Sequence, residues 1–121
     1  MFREIDYSRN SLTVSNTTIK FKYNISEIEN YKDMIFVLSR ISRGVTLGTE
    51  EFCNVYCYNK NSKLEWQIKN SPPPKNPEFK ITPFVGLYLN SSQELYATDF
   101  MGRRFKVNTE TGELGEMNIV E

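Results

Sequence analysis

The chain has 121 residues, of which 39% are hydrophobic and 13% aromatic, and its fifteen basic and fifteen acidic residues cancel to a formal net charge of zero. This length fits one domain over residues 1–121, and the aromatic content argues against a disordered chain. The neutral total argues against nucleic acid as a partner, and the lack of a signal peptide or of an apolar run of about 20 residues predicts a cytoplasmic protein without membrane contact.

Alternation of apolar and polar residues predicts three short strands in the first part of the chain, at residues 2–7, 12–14 and 19–25. Ser26 and Glu29 have the spacing of a capping box, so residues 26–33 are predicted to form one helical turn. The unbroken apolar run at residues 34–38 predicts a central strand that is covered on both faces.

The middle of the chain predicts a loop at residues 39–50, followed by a β-hairpin with strands at residues 52–58 and 63–69. Cys53 and Cys57 would lie on one face of the first strand about 13 Å apart, which is beyond disulfide reach. Because the chain has no histidine, a zinc site would lack ligands. We therefore predict two core cysteines and neither a metal nor another cofactor.

Residues 70–82 contain four prolines, which cannot donate backbone hydrogen bonds and favour an extended conformation. This Pro-rich loop separates an N-terminal from a C-terminal set of predicted strands. Its candidate functional residues are Pro72, Pro73 and Pro74. Two interpretations stay open, namely a functional loop and a stiff crossover between two sheets.

The last part of the chain predicts a meander of up to four strands, at residues 84–89, 95–100, 103–108 and 113–120. Together these patterns predict an all-β domain of eight to ten short, mainly antiparallel strands with minimal helix. The expected architecture is a β-sandwich or a barrel-like pair of sheets.

Two hairpins about fifty residues apart share a pattern. Residues 56–64 read YCYNKNSKL and residues 105–114 read FKVNTETGEL. Both resemble the blade motif of quinoprotein-type β-propellers, in which an apolar strand ends in Asp or Asn, passes a T-G-K-like turn and reaches a Trp. The residues that carry the resemblance are Asn59 and Trp66 in the first copy and Asn108, Thr111 and Gly112 in the second. The resemblance implies blade-like hairpins, but the chain is too short for a closed propeller of four or more blades.

Alternation also predicts a second strand face that is rich in aromatic side chains. In the strand at residues 84–89, Val85, Leu87 and Leu89 are expected to face the core. The residues then predicted to form a partner surface are Phe84, Tyr88, Tyr96, Phe100, Arg103 and Arg104. Tyr56 and Tyr58 are predicted to point outward in the same way. In the alternative interpretation, the aromatic residues form a second core layer beneath another sheet.

No catalytic histidine, nucleophile elbow, P-loop or dinucleotide-binding motif is present, so the sequence predicts a protein that is not an enzyme. Aromatic strand positions beside arginine predict binding of another protein. An immunity-type bacterial protein that neutralises a toxin domain fits this profile. The alternative is a small-molecule or carbohydrate-binding β module in which Trp66, Tyr88 and Tyr96 line a pocket. A third reading is a hydrolase that uses carboxylates alone, and an exposed strand edge would also permit a homo-oligomer.

Overall fold

The computed structural model describes residues 5–119 and has an all-β architecture, as predicted. Within these residues there are eleven strands and one four-residue helix. The strands are β1 (Ile5–Ser8), β2 (Ser11–Val14), β3 (Thr17–Lys20), β4 (Ile25–Tyr31), β5 (Met34–Ser39), β6 (Val55–Asn59), β7 (Leu64–Gln67), β8 (Phe84–Leu89), β9 (Leu95–Asp99), β10 (Arg103–Val107) and β11 (Leu114–Ile119), and the helix is α1 (Thr49–Phe52). The first predicted strand began at Phe2 and the last extended to Val120, and residues 2–4 and Val120 lie outside the described residues.

The strands form three antiparallel sheets. The N-terminal sheet contains β1–β3, the central sheet contains β4–β7, and the C-terminal sheet has the order β11-β10-β9-β8. The central and C-terminal sheets face each other across a shared core, so the fold resembles a sandwich and is not a closed barrel. The Pro-rich loop connects these two sheets, which places it at the crossover.

The core between the central and C-terminal sheets contains aromatic and aliphatic side chains from both. Its most deeply buried large members are Phe36, Leu38, Val55, Ile68, Phe84, Leu95 and Phe105. On β5, Phe36 faces this core while Ile35 and Val37 face the N-terminal sheet. The apolar run is therefore a strand that is buried on both faces, as predicted. Cys53 and Cys57 are buried in the same core, which confirms the prediction of two core cysteines, although Cys53 follows α1 and precedes strand β6.

A second core lies between the N-terminal and central sheets. Its buried members are Leu12, Val14, Phe21, Ile25, Ile35 and Val37. The ring of Phe21 lies 5.4 Å from the ring centre of Tyr56 and 5.7 Å from that of Tyr58. For these two tyrosines the alternative interpretation is correct, because they belong to a second core layer beneath another sheet.

Two local predictions in the first part of the chain are wrong. The third strand ends at Lys20, because backbone hydrogen bonds from Phe21 to Asn10 (2.8 Å) and from Ile25 to Arg9 (2.6 Å) bend the chain away. The predicted helical turn is instead strand β4, which pairs with β5 from Glu27 to Tyr31 and, across a bulge, at Ile25. A capping box stabilises a helix end only weakly, and the pairing of a complete strand outweighs it.

The short helix α1 lies at the end of the predicted loop and includes Phe52, so the strand predicted at residues 52–58 begins only at Val55. Glu51 accepts a hydrogen bond from the backbone N–H of Gly48 (2.8 Å) and one from the Tyr23 hydroxyl (2.6 Å). The hydrogen bond from Tyr23 is the main reason why the pKa of Glu51 is lowered. Glu51 is therefore an ionised acceptor that fixes the start of α1 and has a structural role.

Four hairpin turns begin with the same local device, in which a side-chain oxygen accepts hydrogen bonds from backbone N–H groups two or four residues further along. The residues that do so are Asn59, Asn90, Asp99 and Asn108. Two of them are the strand-end residues in the repeated pattern. Local backbone chemistry therefore explains why these positions carry Asn or Asp.

The two similar hairpins contact each other through Trp66 and Gly112. The Trp66 indole N–H donates to the carbonyl of Thr109 at 2.8 Å. Gly112 has a φ of +80°, and a Cβ at this position would lie 2.6 Å from the Trp66 ring. Only glycine fits this close approach. Trp66 of the first hairpin thus packs against Gly112 of the second, and both residues carry the resemblance described above.

No helix among residues 5–119 has the length and apolar character needed to cross a membrane.

Candidate functional site

The outer face of the C-terminal sheet carries a cluster of aromatic and basic side chains. Tyr88 on β8 lies opposite Tyr96 on β9, and Tyr96 lies opposite Lys106 on β10. The Arg104 guanidinium lies 5.9 Å from the centre of the Tyr96 ring, and Tyr88 is 54% exposed. Tyr88, Tyr96 and Arg104, three of the six predicted partner-surface residues, therefore lie together. We call these three residues the outer patch.

Arg104 supplies the positive charge of the outer patch. Among the described residues it forms no ion pair. Its neighbour Lys106 is paired with Glu94 at 2.7 Å, and this hydrogen bond lowers the pKa of Glu94 and raises that of Lys106. The charge of Lys106 is therefore matched within the protein, whereas the Arg104 guanidinium lies against the Tyr96 ring and forms no ion pair among the described residues.

Phe84 does not belong to the outer face, so its predicted role is wrong. A β-bulge inserts one residue, because Phe84 pairs with Asp99 while Gly86 pairs with Thr98. Phe84 is only 1% exposed and faces the inner core, and Val85 points outward instead of inward. Strict alternation fails at a bulge, since the extra residue shifts the phase of the strand.

Asn54 fixes the start of the bulged strand. Its side-chain amide donates to the carbonyls of Phe84 (2.8 Å) and Ser39 (2.8 Å), and its amide oxygen accepts from the Phe84 N–H (2.9 Å). This buried side chain joins the end of β5 to the beginning of β8, so it bridges the two sheets. No pattern in the sequence around Asn54 predicts this role.

Arg103 is buried rather than available to a partner, so its predicted role is also wrong. It is 7% exposed, and its Nε donates to Asp99 Oδ2 at 2.8 Å. One terminal nitrogen donates to the Pro72 carbonyl at 2.9 Å, and the other lies 3.5 Å from the Ser71 hydroxyl. Successive side chains of a strand point to opposite faces, so Arg103 faces inward while Arg104 faces outward. Arg103 ties the Pro-rich loop to the C-terminal sheet.

Phe100 is exposed, but it lies at the end of the sheet. It sits in the turn between β9 and β10 and is 74% exposed. With Val85, Arg40 and Ile41 it lines a small cleft of about 240 Å³. Phe100 and Val85 therefore form an exposed apolar region at this end of the sheet.

A larger groove lies between the Pro-rich loop and the edge of the C-terminal sheet. Its volume is about 720 Å³, and we call it the proline groove. Its lining residues are Pro72, Pro73, Pro74, Lys75, Asn76, Phe79, Met101, Arg103, Met117 and Ile119. The exposed fractions of Phe79, Met117 and Ile119 are 58%, 43% and 63%, so the lining is apolar and open. The candidate loop residues thus form one wall of this groove.

The apolar residues of the proline groove were missed from the sequence. Met117 and Ile119 alternate on the last predicted strand, and the strand pairing aligns them with the inward-facing Phe105 and Arg103. Two apolar residues at this spacing would ordinarily be assigned to a covered core. Only the position of β11 at the sheet edge shows that they are exposed.

The pocket predicted for a small ligand does not form from its three aromatic residues. Trp66 is buried between the two sheets, whereas Tyr88 and Tyr96 lie on the opposite face of the C-terminal sheet. These side chains cannot contact one molecule. A ligand-binding interpretation therefore has to use the proline groove instead.

Neither cysteine thiol is activated. Burial raises the pKa of Cys57 to about 12, and burial also raises the pKa of Cys53, whose thiol donates to the Asn70 side chain at 3.0 Å. Both thiols are therefore protonated near neutral pH. In residues 5–119 no group of three or more His, Cys, Asp or Glu residues could hold a metal ion.

Comparison with known proteins identifies a family whose model matches the chain. The model of the family described as "Domain of unknown function (DUF7957)" matches residues 2–119. The match includes all eleven strands, and thus the outer patch and the proline groove. No curated protein matches the chain.

Proposed function

The chain belongs to the DUF7957 family of domains of unknown function, and from this premise we propose that it is a non-enzymatic protein that binds another protein through the outer patch. One observation carries the proposal. The outer face of the central sheet is covered by the N-terminal sheet, whereas the outer face of the C-terminal sheet presents an exposed Tyr88 beside the half-buried side chains of Tyr96 and Arg104. Tyr and Arg are over-represented at protein interfaces and among their hot spots.

The geometry of the patch favours a protein over a small ligand. Tyr88, Tyr96 and Arg104 stand on neighbouring paired strands, so their backbones are held in place before binding. Rigid aromatic side chains lose little conformational entropy on contact. A stable interface covers about 800 Å² on each partner, which extends the contact from the patch to Val85 and Phe100.

The charge of the patch defines the partner further. Because Arg104 forms no ion pair among the described residues, we expect the partner to supply a carboxylate opposite its guanidinium. A carboxylate held by Arg in a desolvated interface forms charge-assisted hydrogen bonds. The partner surface is therefore acidic at this point and apolar around it.

The finer proposal is an immunity-type protein of bacterial style that acts in the cytoplasm and holds a toxin domain inactive. Its support is general: a binding surface on a small domain whose sequence lacks a recognisable catalytic motif. Its test is genetic. A toxin gene next to the coding gene, whose product is lethal alone and harmless on co-expression, is the expected result. Unchanged lethality on co-expression would contradict the immunity role and leave the binding role intact.

The binding proposal is tested by affinity capture from an extract of the source organism, followed by mass spectrometry and calorimetry with the identified partner. We expect the double variant Tyr88→Ala, Arg104→Glu to bind at least about 30-fold more weakly, because truncating one hot spot costs about 2 kcal/mol or more. Leu64→Ala is the matched control, since Leu64 is 52% exposed on the other sheet. Equal affinity of wild type and double variant would refute the proposed surface.

The second candidate function is a small-molecule or carbohydrate-binding module. The proline groove favours it, because a volume of about 720 Å³ falls within the common range of ligand sites. Native mass spectrometry of the purified protein tests this candidate. A bound metabolite whose mass disappears in an Ile119→Lys variant would support it over protein binding.

A further inference from the structure

We propose that the proline groove is a second binding site, separate from the outer patch, which takes an extended segment of a partner protein as a strand added to β11. The segment has alternating apolar residues and carries an acidic side chain. This inference is independent of the proposed function, because the two sites lie on different faces of the C-terminal sheet.

The first support is the position of β11 in its sheet. β11 is the terminal strand of the order β11-β10-β9-β8, so along one edge it pairs with no strand of residues 5–119. The opposite edge strand, β8, contacts β4, and its Leu89 N–H donates to Glu29 at 3.4 Å. An unpaired edge presents backbone donors and acceptors to which an extended peptide can pair.

The second support is the direction of the side chains on β11. Met117 lies opposite Phe105 and Ile119 lies opposite Arg103, so both point to the inner side of the sheet. Met117 and Ile119 are nevertheless 43% and 63% exposed, because β11 is an edge strand and these two side chains lie outside the core. Residues two apart on a strand are separated by about 7 Å, which is also the spacing between alternate side chains of an added strand.

The third support is the chemistry of the opposite wall. Pro72, Pro73 and Pro74 have no backbone N–H, so this wall cannot compete with β11 for the acceptors of an entering backbone. Arg103 holds the Pro72 carbonyl at 2.9 Å, which fixes the wall at its base. The prolines and Phe79 thus offer apolar contact while β11 offers hydrogen bonds. This division suits a peptide with one apolar side and one backbone edge.

The fourth support is the charge of the groove. Its lining contains two cations and no acidic side chain. Asp99 already neutralises Arg103, so Lys75 is the cation that remains for a ligand. An acidic residue of the segment is therefore placed near Lys75, at the proline side of the groove.

The test is selection from a phage-displayed random heptapeptide library on the wild-type protein, with counter-selection on Ile119→Lys. We expect the enriched peptides to alternate apolar residues and to contain Asp or Glu. One enriched peptide is then synthesised with a fluorescein label and titrated by fluorescence anisotropy. Ile119→Lys should weaken binding at least about tenfold, and Lys75→Glu should weaken it about three- to tenfold, with a smaller effect at high salt.

Three controls test the mechanism. Methylating the central backbone nitrogens of the peptide removes the donors that pair with β11, so its affinity should fall at least about tenfold while its side chains are unchanged. The protein variant Leu64→Lys places the same charge on an exposed position of the other sheet and should bind normally. The double variant Tyr88→Ala, Arg104→Glu should also bind normally, which separates this site from the outer patch. Thermal melts confirm that every variant is folded.

Several outcomes would overturn the inference. In the first, selection on the wild-type protein enriches no peptide that selection on Ile119→Lys does not also enrich. In the second, the N-methylated peptide binds as tightly as its parent. In the third, a simple aliphatic acid such as decanoate displaces the peptide with comparable affinity. A fourth is a dimer in solution that dissociates in Ile119→Lys, because a second copy of the chain would then occupy the groove.

Discussion

The outer faces of the central and C-terminal sheets both carry tyrosines, but only those of the central sheet belong to a second core. On the central sheet, Tyr56 and Tyr58 are covered by the N-terminal sheet and pack against Phe21. On the C-terminal sheet, Tyr88 and Tyr96 are paired across strands, but neither belongs to a core formed by residues 5–119, and Tyr88 is 54% exposed. The alternation of a strand therefore does not determine whether its second face is core or surface. The outcome depends on whether a third layer, here the N-terminal sheet, packs on that face.

The largest expected effect compares two neighbouring arginines of β10. Arg103→Ala should lower the free energy of unfolding by about 3–5 kcal/mol, because it leaves the buried Asp99 carboxylate without its partner. Arg104→Ala should change it by no more than about 0.5 kcal/mol, since Arg104 lies on the open face. Urea denaturation followed by circular dichroism measures both. Similar losses for the two variants would mean that the open face is also structural.

The next effect compares the two sets of aromatic residues directly. Phe21→Ala should cost about 3 kcal/mol, because it removes a ring that is 8% exposed and covers two tyrosines. Tyr88→Ala should cost about 0.5 kcal/mol or less. The same denaturation experiment gives both values. If Tyr88→Ala is as costly as Phe21→Ala, the outer patch is part of the stable core and not a binding surface.

A smaller effect appears at high pH. Burial raises the pKa of Tyr56 to about 12 from its ordinary value of 10.0. The neutral phenol is therefore favoured in the folded state, and its contribution to stability is present below pH 10 and is lost as the pH rises towards about 12. The loss should amount to at most about 2.7 kcal/mol, since each unit of pKa difference corresponds to about 1.36 kcal/mol. Comparison of wild type with Tyr56→Phe isolates this contribution from that of Cys57.

The same titration tests what covers Tyr56. Ultraviolet absorbance near 295 nm follows tyrosine ionisation, a standard spectroscopic signal. In Phe21→Ala, the pKa of Tyr56 should move down towards its ordinary value, because water reaches the ring. An unchanged titration curve would show that the N-terminal sheet covers Tyr56 without the Phe21 ring.

The smallest effect concerns the exposed ion pair beside the outer patch. Lys106 and Glu94 are 42% and 37% exposed, so solvent screens their attraction. Because the pKa of Glu94 is lowered, its small contribution is present at neutral pH and is lost as the pH falls through that pKa. Lys106→Ala should therefore have less effect than any variant above, and added salt should abolish the difference. A persistent, salt-independent loss would show that this pair is structural.

Much of the fold could be predicted from the sequence, because strand alternation and turn residues are local signals. The apolar run of β5, the hairpin of β6 and β7, and the C-terminal meander are all confirmed. The failure at β4 has a physical reason. A capping box describes one helix end, whereas β4 gains pairing with β5 that involves residues outside its own segment.

The candidate site could be predicted only in part. Tyr88, Tyr96 and Arg104 follow from alternation, since their strands are regular where they lie. Phe84 and Arg103 do not follow from it. A bulge changes the phase of β8, and the buried partner of Arg103 becomes visible only when the β9–β10 turn brings Asp99 beside it. The proline groove could not be predicted, because it depends on the position of β11 at the edge of its sheet.

The bulge in β8 separates a surface position from the order of the core. Without Val85 the strand would read Phe, Gly, Leu, Tyr, Leu, which alternates regularly and leaves Phe84 inside and Tyr88 outside. Val85 is thus an extra residue that adds an exposed apolar side chain to the surface without changing which neighbours face the core. Deletion of Val85 should therefore preserve the fold and remove one exposed apolar side chain.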